Sequence, residues 1–171
     1  MSKRVFPVVT LTLMGLLVAG GFSTASGQNR GETKAKVGKA SVTISYGRPA
    51  LNGRDPLKMI HAGQPWRIGS NAPTTIESDA DLSFAGTVVP KGKHILLAML
   101  DEAGKWWLIA SSKSNFEYEP GAKIAQVPME LSKGQDSVEE LEIRLSGKDS
   151  RGSIEVAWGT LRLAATFAPA E

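Results

Sequence analysis

The chain has 171 residues, a formal net charge of +3 and no cysteine, which excludes disulfides, thiolate catalysis, thiolate metal ligation and a lipid-modified amino-terminal cysteine. The excess charge belongs to the amino terminus. Without Lys3 and Arg4, 18 basic residues face 17 acidic ones, so the sequence pI of 9.2 is no sign of nucleic-acid binding.

Met1-Ser2-Lys3-Arg4 is a short cationic stretch, Val5 to Gly21 is apolar except at Pro7, Thr10 and Thr12, and small residues dominate from Ser23 to Gly27. That order predicts a signal peptide over residues 1–27, cleaved after Ala25 or Gly27, with the second preferred. The apolar stretch approaches the roughly 18–20 residues that span a bilayer. Its threonines, proline and small-residue exit nonetheless fit a leader, so no transmembrane span is expected after cleavage. The expected location is the periplasm or the exterior. About 145 residues remain, enough for one domain with its own core.

Residues 28–39 are polar and rich in glycine and lysine, and are expected to form a flexible arm before a single domain over 40–168. From there a period of two dominates. Val42, Ile44 and Tyr46 share one face, as do Leu141, Ile143 and Leu145, then Ile154, Val156 and Trp158, then Leu161, Leu163, Ala165 and Phe167. These patterns predict strands with one wet face. His94 to Leu100, after its first residue, and Trp106 to Ala110 are continuously apolar, as strands covered on both faces would be, and Asp101-Glu102-Ala103-Gly104 between them is of hairpin length. Thr87 to Val89 is a further short strand, and Asp55 to His61 has room for one helical turn. The expected fold is all-β, an antiparallel β-sandwich of roughly 8–10 strands with one long loop-rich segment.

Several chemistries have no sequence counterpart. There is no Gly-x-Ser-x-Gly elbow, no Ser-x-x-Lys, no P-loop and no His-Glu-x-x-His. The two histidines, His61 and His94, lie 33 residues apart and suggest no shared metal, so neither metal nor cofactor is expected. The acid pairs Asp79/Asp81, Asp101/Glu102, Glu117/Glu119 and Glu139/Glu140 read as solvated corners rather than as general acid/base pairs.

Tyr46 to Ile76 lacks sustained periodicity, and structureless stretches of that length tend to be functional. It carries Arg48, Arg54, Trp66, Arg67, Asn71 and Thr74, donors and a stacking plate suited to an anionic or hydroxyl-rich ligand. The same arginines would equally serve as staples onto loop carbonyls, and Trp66 as core. Adjacent Trp106 and Trp107 should face opposite ways in a strand, leaving one as a possible carbohydrate platform.

Tyr46, Arg48, Pro49, Gly53 and Arg54, then Gly63, Trp66, Arg67, Gly69, Asn71 and Thr74, then the corner Gly86, Pro90 and Gly92, together resemble the bacterial domain of unknown function 2911. Trp107 and Trp158 also fit, and the resemblance spans about residues 36–168. His94 stands where that family's pattern would carry tyrosine. The resemblance implies an exported, β-rich protein of the bacterial envelope and no particular activity. The expected function is binding of a small anion, an acidic sugar or a peptide carboxylate. The alternatives are a structural or partner-binding envelope protein, and a hydrolase with an unrecognised site.

Overall fold

A computed structural model describes residues 29–113 and 119–170, so the leader, Gln28 and Glu117 lie outside the described residues. Ten strands, all paired antiparallel, contain most of the described residues: β1 Arg30–Val37, β2 Ala40–Gly47, β3 Pro65–Trp66, β4 Thr75–Ser78, β5 Leu82–Phe84, β6 Thr87–Val89, β7 Gly92–Leu100, β8 Trp106–Ser111, β9 Lys123–Lys148 and β10 Arg151–Pro169. One helical turn, α1 at Pro56–Met59, is capped by the Asp55 carboxylate, which accepts from the Leu57 N–H at 3.1 Å.

The strand order is β1-β2-β4-β7-β8-β9-β10-β5-β6, with β3 added beside β7. The sheet rolls over. The edge of β9 turned away from β10 carries β8 along Lys123–Met129, then meets the chain at Pro49–Leu51, where the Leu51 and Leu141 N–H groups donate to the Glu139 and Pro49 carbonyls at 2.8 and 3.0 Å. Farther along the same edge, the Leu145 N–H donates to Thr33 Oγ1 of β1 at 3.3 Å. The inner face of this rolled sheet encloses one apolar interior that includes Val42, Ile44, Ile76, Leu96, Leu108, Val127, Leu141, Ile143, Ile154 and Leu163. This is the all-β, sandwich-like arrangement that the alternation predicts.

β7 and β8 are covered on both faces, as their continuous apolar runs require: Leu96 and Ala98 belong to the main core, while Ile95, Leu97 and Ile109 form a cluster on the other side. The arm expected over residues 28–39 is corrected by the structure. Arg30–Val37 is a strand in unbroken register with β2, from Arg30 opposite Gly47 to Val37 opposite Ala40, so the domain begins before residue 40. Its inward residues Gly31, Thr33 and Ala35 are small, and only Val37 is strongly apolar, so its alternation with Glu32, Lys34 and Lys36 is faint. The two carboxy-terminal strands form one, because β10 carries through a register shift between Ala157 and Leu161. Arg162 braces that irregularity by donating to the Gly159 and Leu161 carbonyls and to the Asp136 carbonyl of β9 at 2.8–2.9 Å.

Candidate functional site

The segment between β2 and β4 contains the six residues singled out by the sequence. It is ordered by side chains donating to its carbonyls, because a loop off the ladder must satisfy its backbone in this way. Arg54 donates through Nε to the Leu51 carbonyl and through Nη2 to the Ala50 carbonyl, both at 2.8 Å. Arg48 pairs with Glu140 at 2.9 Å, and Asn29 donates to the other oxygen of the same carboxylate at 2.7 Å. Trp66 is half-buried in β3 and stacks on Trp158 of the core, with ring centroids 6.0 Å apart and planes 12° from parallel. The Trp158 indole N–H has no hydrogen-bond partner among the described residues.

The stretch from Arg67 to Thr74 is the most tightly constrained part. Ile68 is fully buried with φ at 39°, a region that β-branched residues rarely enter. Thr74, 1% exposed, turns its hydroxyl inward and donates to the Ile68 carbonyl at 2.9 Å. Gly69 and Ser70 lie on Gly47, so close that a Cβ at Gly47 would stand 2.1 Å from the Ser70 carbonyl oxygen. Arg30, which the sequence did not single out, reaches from β1 to the Ala72 and Pro73 carbonyls, each at 3.2 Å, and to Ser45 Oγ at 3.0 Å. Arg67 and Asn71 are exposed on this braced loop, and Asn71 has φ at 59°, which asparagine tolerates.

The structure therefore brings Arg67, Asn71 and Thr74 onto one loop, with Arg48 next to the glycine on which that loop rests. It does not bring Arg54 to them through any hydrogen bond: its guanidinium closes its own turn. Trp66 precedes the loop in sequence, with its ring turned to Trp158.

The acids serve backbone. Asp79 accepts from the Ser41 N–H and Asp81 from the Lys91 N–H, both at 2.7 Å, and Glu139 accepts from the Asn52 N–H at 3.0 Å. Asp101 closes the β7–β8 hairpin by accepting from the Ala103 and Lys105 N–H groups and from Trp107 Nε1, at 2.8–2.9 Å. The Trp107 indole, followed by the Lys105 N–H, holds the Asp101 carboxyl below its ordinary pKa, and the Ser41 N–H does the same for Asp79. The Arg144 guanidinium lowers Glu142. A general acid at neutral pH needs a shift in the other direction. His94 Nε2 lies 2.7 Å from the Pro90 carbonyl, and His61 is exposed. Among the described residues, no three His, Asp or Glu side chains are grouped as metal ligands would be. Trp106 is buried and Trp107 half-buried, on opposite faces as expected.

Elsewhere, a groove of about 410 Å³ runs between α1 and the middle of β9 and β10, lined among others by Leu57, Leu131, Lys133 and Leu161. The sequence did not reveal it. Its residues come from three separated segments, and Leu131 and Lys133 read as an ordinary polar stretch of strand.

A family model described as "Protein of unknown function (DUF2911)" matches residues 28–167, and the chain belongs to that family. No curated protein and no solved structure matches the chain.

Proposed function

We propose that this DUF2911 protein is an exported, non-catalytic binding module that meets a small anionic ligand with Arg67 and Asn71 on the braced loop between β3 and β4. The observation that carries the reading is Ile68, fully buried in a left-handed backbone conformation. Such strain persists only where surrounding contacts overdetermine it, and it concentrates at ligand-holding segments. Here the contacts are the Thr74 hydroxyl, the Gly47 seat and the Arg30 guanidinium. A loop fixed in this way loses little entropy on binding, which favours affinity from few contacts. A guanidinium presents paired donors that match a carboxylate or phosphate, and an asparagine amide adds a neutral donor and acceptor. The acidic sugar and the peptide carboxylate are the ligands of this chemistry expected outside the cytoplasm. The Lys3-Arg4 start, apolar run and small-residue exit of the leader support export.

Calorimetric titration of the mature protein with phosphate, uronic acids and cell-wall peptides tests this. Binding of one class should weaken by roughly tenfold or more in Arg67→Ala. Asn71→Gly, which suits the positive φ, should weaken the same binding while leaving the melting temperature unchanged. If no anion binds, or if Arg67→Ala lowers stability by several degrees without touching ligand affinity, Arg67 is a staple and the proposal fails. Amino-terminal sequencing of protein recovered from the periplasm or medium should start at Ser26 or Gln28; an intact leader in a cytoplasmic protein overturns export.

A further inference from the structure

The groove beside α1 has features that the anion-binding reading does not use. β9 is paired along the edge away from β10 at Lys123–Met129 by β8 and again at Glu139–Leu141 by Pro49–Leu51. Between these, from Glu130 to Val138, no described strand lies on that edge. Successive residues of a strand turn their backbone groups to alternate edges. The stretch Glu130–Lys133, still in register with β10, therefore leaves two residues' N–H and C=O groups facing outward.

Side chains make this edge selective. Leu131 lies opposite Leu163 and Lys133 opposite Leu161, and both β10 leucines are buried core residues. Leu131 and Lys133 thus stand on the core-facing side of the sheet, where the core opens toward the groove. Leu131 is nevertheless 51% exposed, and so is Leu57 across the groove on α1. Two large half-exposed apolar side chains line the same concavity, with the Lys133 cation and the Asp55 carboxylate. Lys133 makes no ion pair among the described residues, and the nearby Asp55 carboxylate is engaged by the Leu57 N–H. The Arg162 bonds, together with Gly134, whose Cβ position is filled by the Arg162 guanidinium, brace the irregular pairing that follows.

We infer that this groove receives an extended peptide segment of a partner protein, which pairs with the β9 edge at Glu130–Lys133. The segment carries an acidic residue two positions from a large apolar one. Strand addition of this kind takes its affinity from main-chain bonds and its specificity from alternate side chains. Leu131 and Lys133 are two residues apart, so on a strand laid beside them the apolar and acidic partners are also two apart. For an antiparallel addition the acid comes first. The apolar side chain sits between Leu57 and Leu131, and the carboxylate meets Lys133.

Fluorescence anisotropy with labelled hexapeptides tests this on the intact mature protein. The set carries Glu two positions before Leu, the reverse order, and Lys in place of Glu. The Glu-first peptide should bind, with affinity reduced about tenfold by Lys133→Glu and by Leu131→Ser. The Lys-bearing peptide should recover binding to Lys133→Glu. Arg67→Ala should leave both unchanged, which separates this proposal from the anion site. The inference is overturned if no peptide binds, if charge exchange at residue 133 has no effect, or if a free fatty acid competes equally well. It is also overturned if the edge is filled by a second copy, seen as a dimer that Leu131→Ser dissociates. In these cases the lysine and bulge simply guard an exposed edge.

Discussion

Thr74→Val preserves shape and strand preference and removes one hydroxyl, so it isolates the bond that holds the strained loop. That hydroxyl donates at 2.9 Å to a carbonyl of the fully buried Ile68, with Thr74 itself buried. Stranding a buried carbonyl costs about 1–3 kcal/mol. The Ile68 backbone at φ 39° holds a further ~1–3 kcal/mol of strain that this bond helps to contain, so a value near the upper end of the hydrogen-bond range is expected. Thr74→Ser keeps the hydroxyl and loses one methyl, a change of about 0.8 kcal/mol. Urea unfolding followed by tryptophan fluorescence should rank the wild type above Ser and Ser above Val, with unchanged slope. Ligand affinity at Arg67 should fall in the Val variant as the loop loosens. A Val variant as stable as the Ser variant, or more so, would refute the bracing role of Thr74 and with it the account of the rigid loop.

Gly47→Ala places a Cβ 2.1 Å from the Ser70 carbonyl oxygen, which is backbone and must retreat by about 1 Å; overpacking of this kind costs about 1–3 kcal/mol, and hydrogen exchange should accelerate selectively over residues 67–74. Glu142 and Asp101 have folded pKa values below their ordinary ones, chiefly through the Arg144 and Trp107 hydrogen bonds. Each therefore adds stability that is complete above the unfolded carboxylate pKa of about 4 and lost as pH falls through the lower folded value. The urea midpoint should accordingly drop from pH 5 downward, and Glu142→Gln should show a shallower decline than the wild type.

How legible each part was depended on how strongly its residues differ in polarity. β2 and the two halves of β10 have large apolar residues at strand spacing and appear where the period of two placed them, while β7 and β8 appear where their continuous apolar runs placed them. β1 was hidden because its inward face is glycine, threonine and alanine, which carry little apolar signal. The 26-residue length of β9 was equally hidden, since its middle, from Glu130 to Ser137, is almost wholly exposed and has no reason to alternate. The loop-rich segment was found from its lack of periodicity, and the structure gives its residues separate tasks. Thr74 and Trp66 look inward, Arg54 and Arg48 hold neighbouring chain, and Arg67 and Asn71 are on the outer side. The Lys133 groove was invisible because its lining comes from α1, β9 and β10, segments far apart in the sequence.

The arginines show why staple and receptor look alike in a sequence. A loop that leaves the ladder exposes carbonyls that need donors, and a guanidinium offers five N–H groups on a long stem. Arg30, Arg54 and Arg162 meet that need and donate to two, two and three carbonyls respectively. A receptor site needs the same group in the same kind of loop. What distinguishes the two is the direction of the neighbouring backbone. Where Ile68 turns its own side chain fully into the core through an unfavourable φ, the residue before it is carried to the outside. An arginine placed there by a strained β-branched neighbour has a position maintained at a cost, whereas Arg54 makes its bonds from a turn whose left-handed residues, Asn52 and Gly53, enter that conformation readily. On the proposed reading, the strain at residue 68, rather than the presence of arginine, is what marks Arg67 among the cations of this segment.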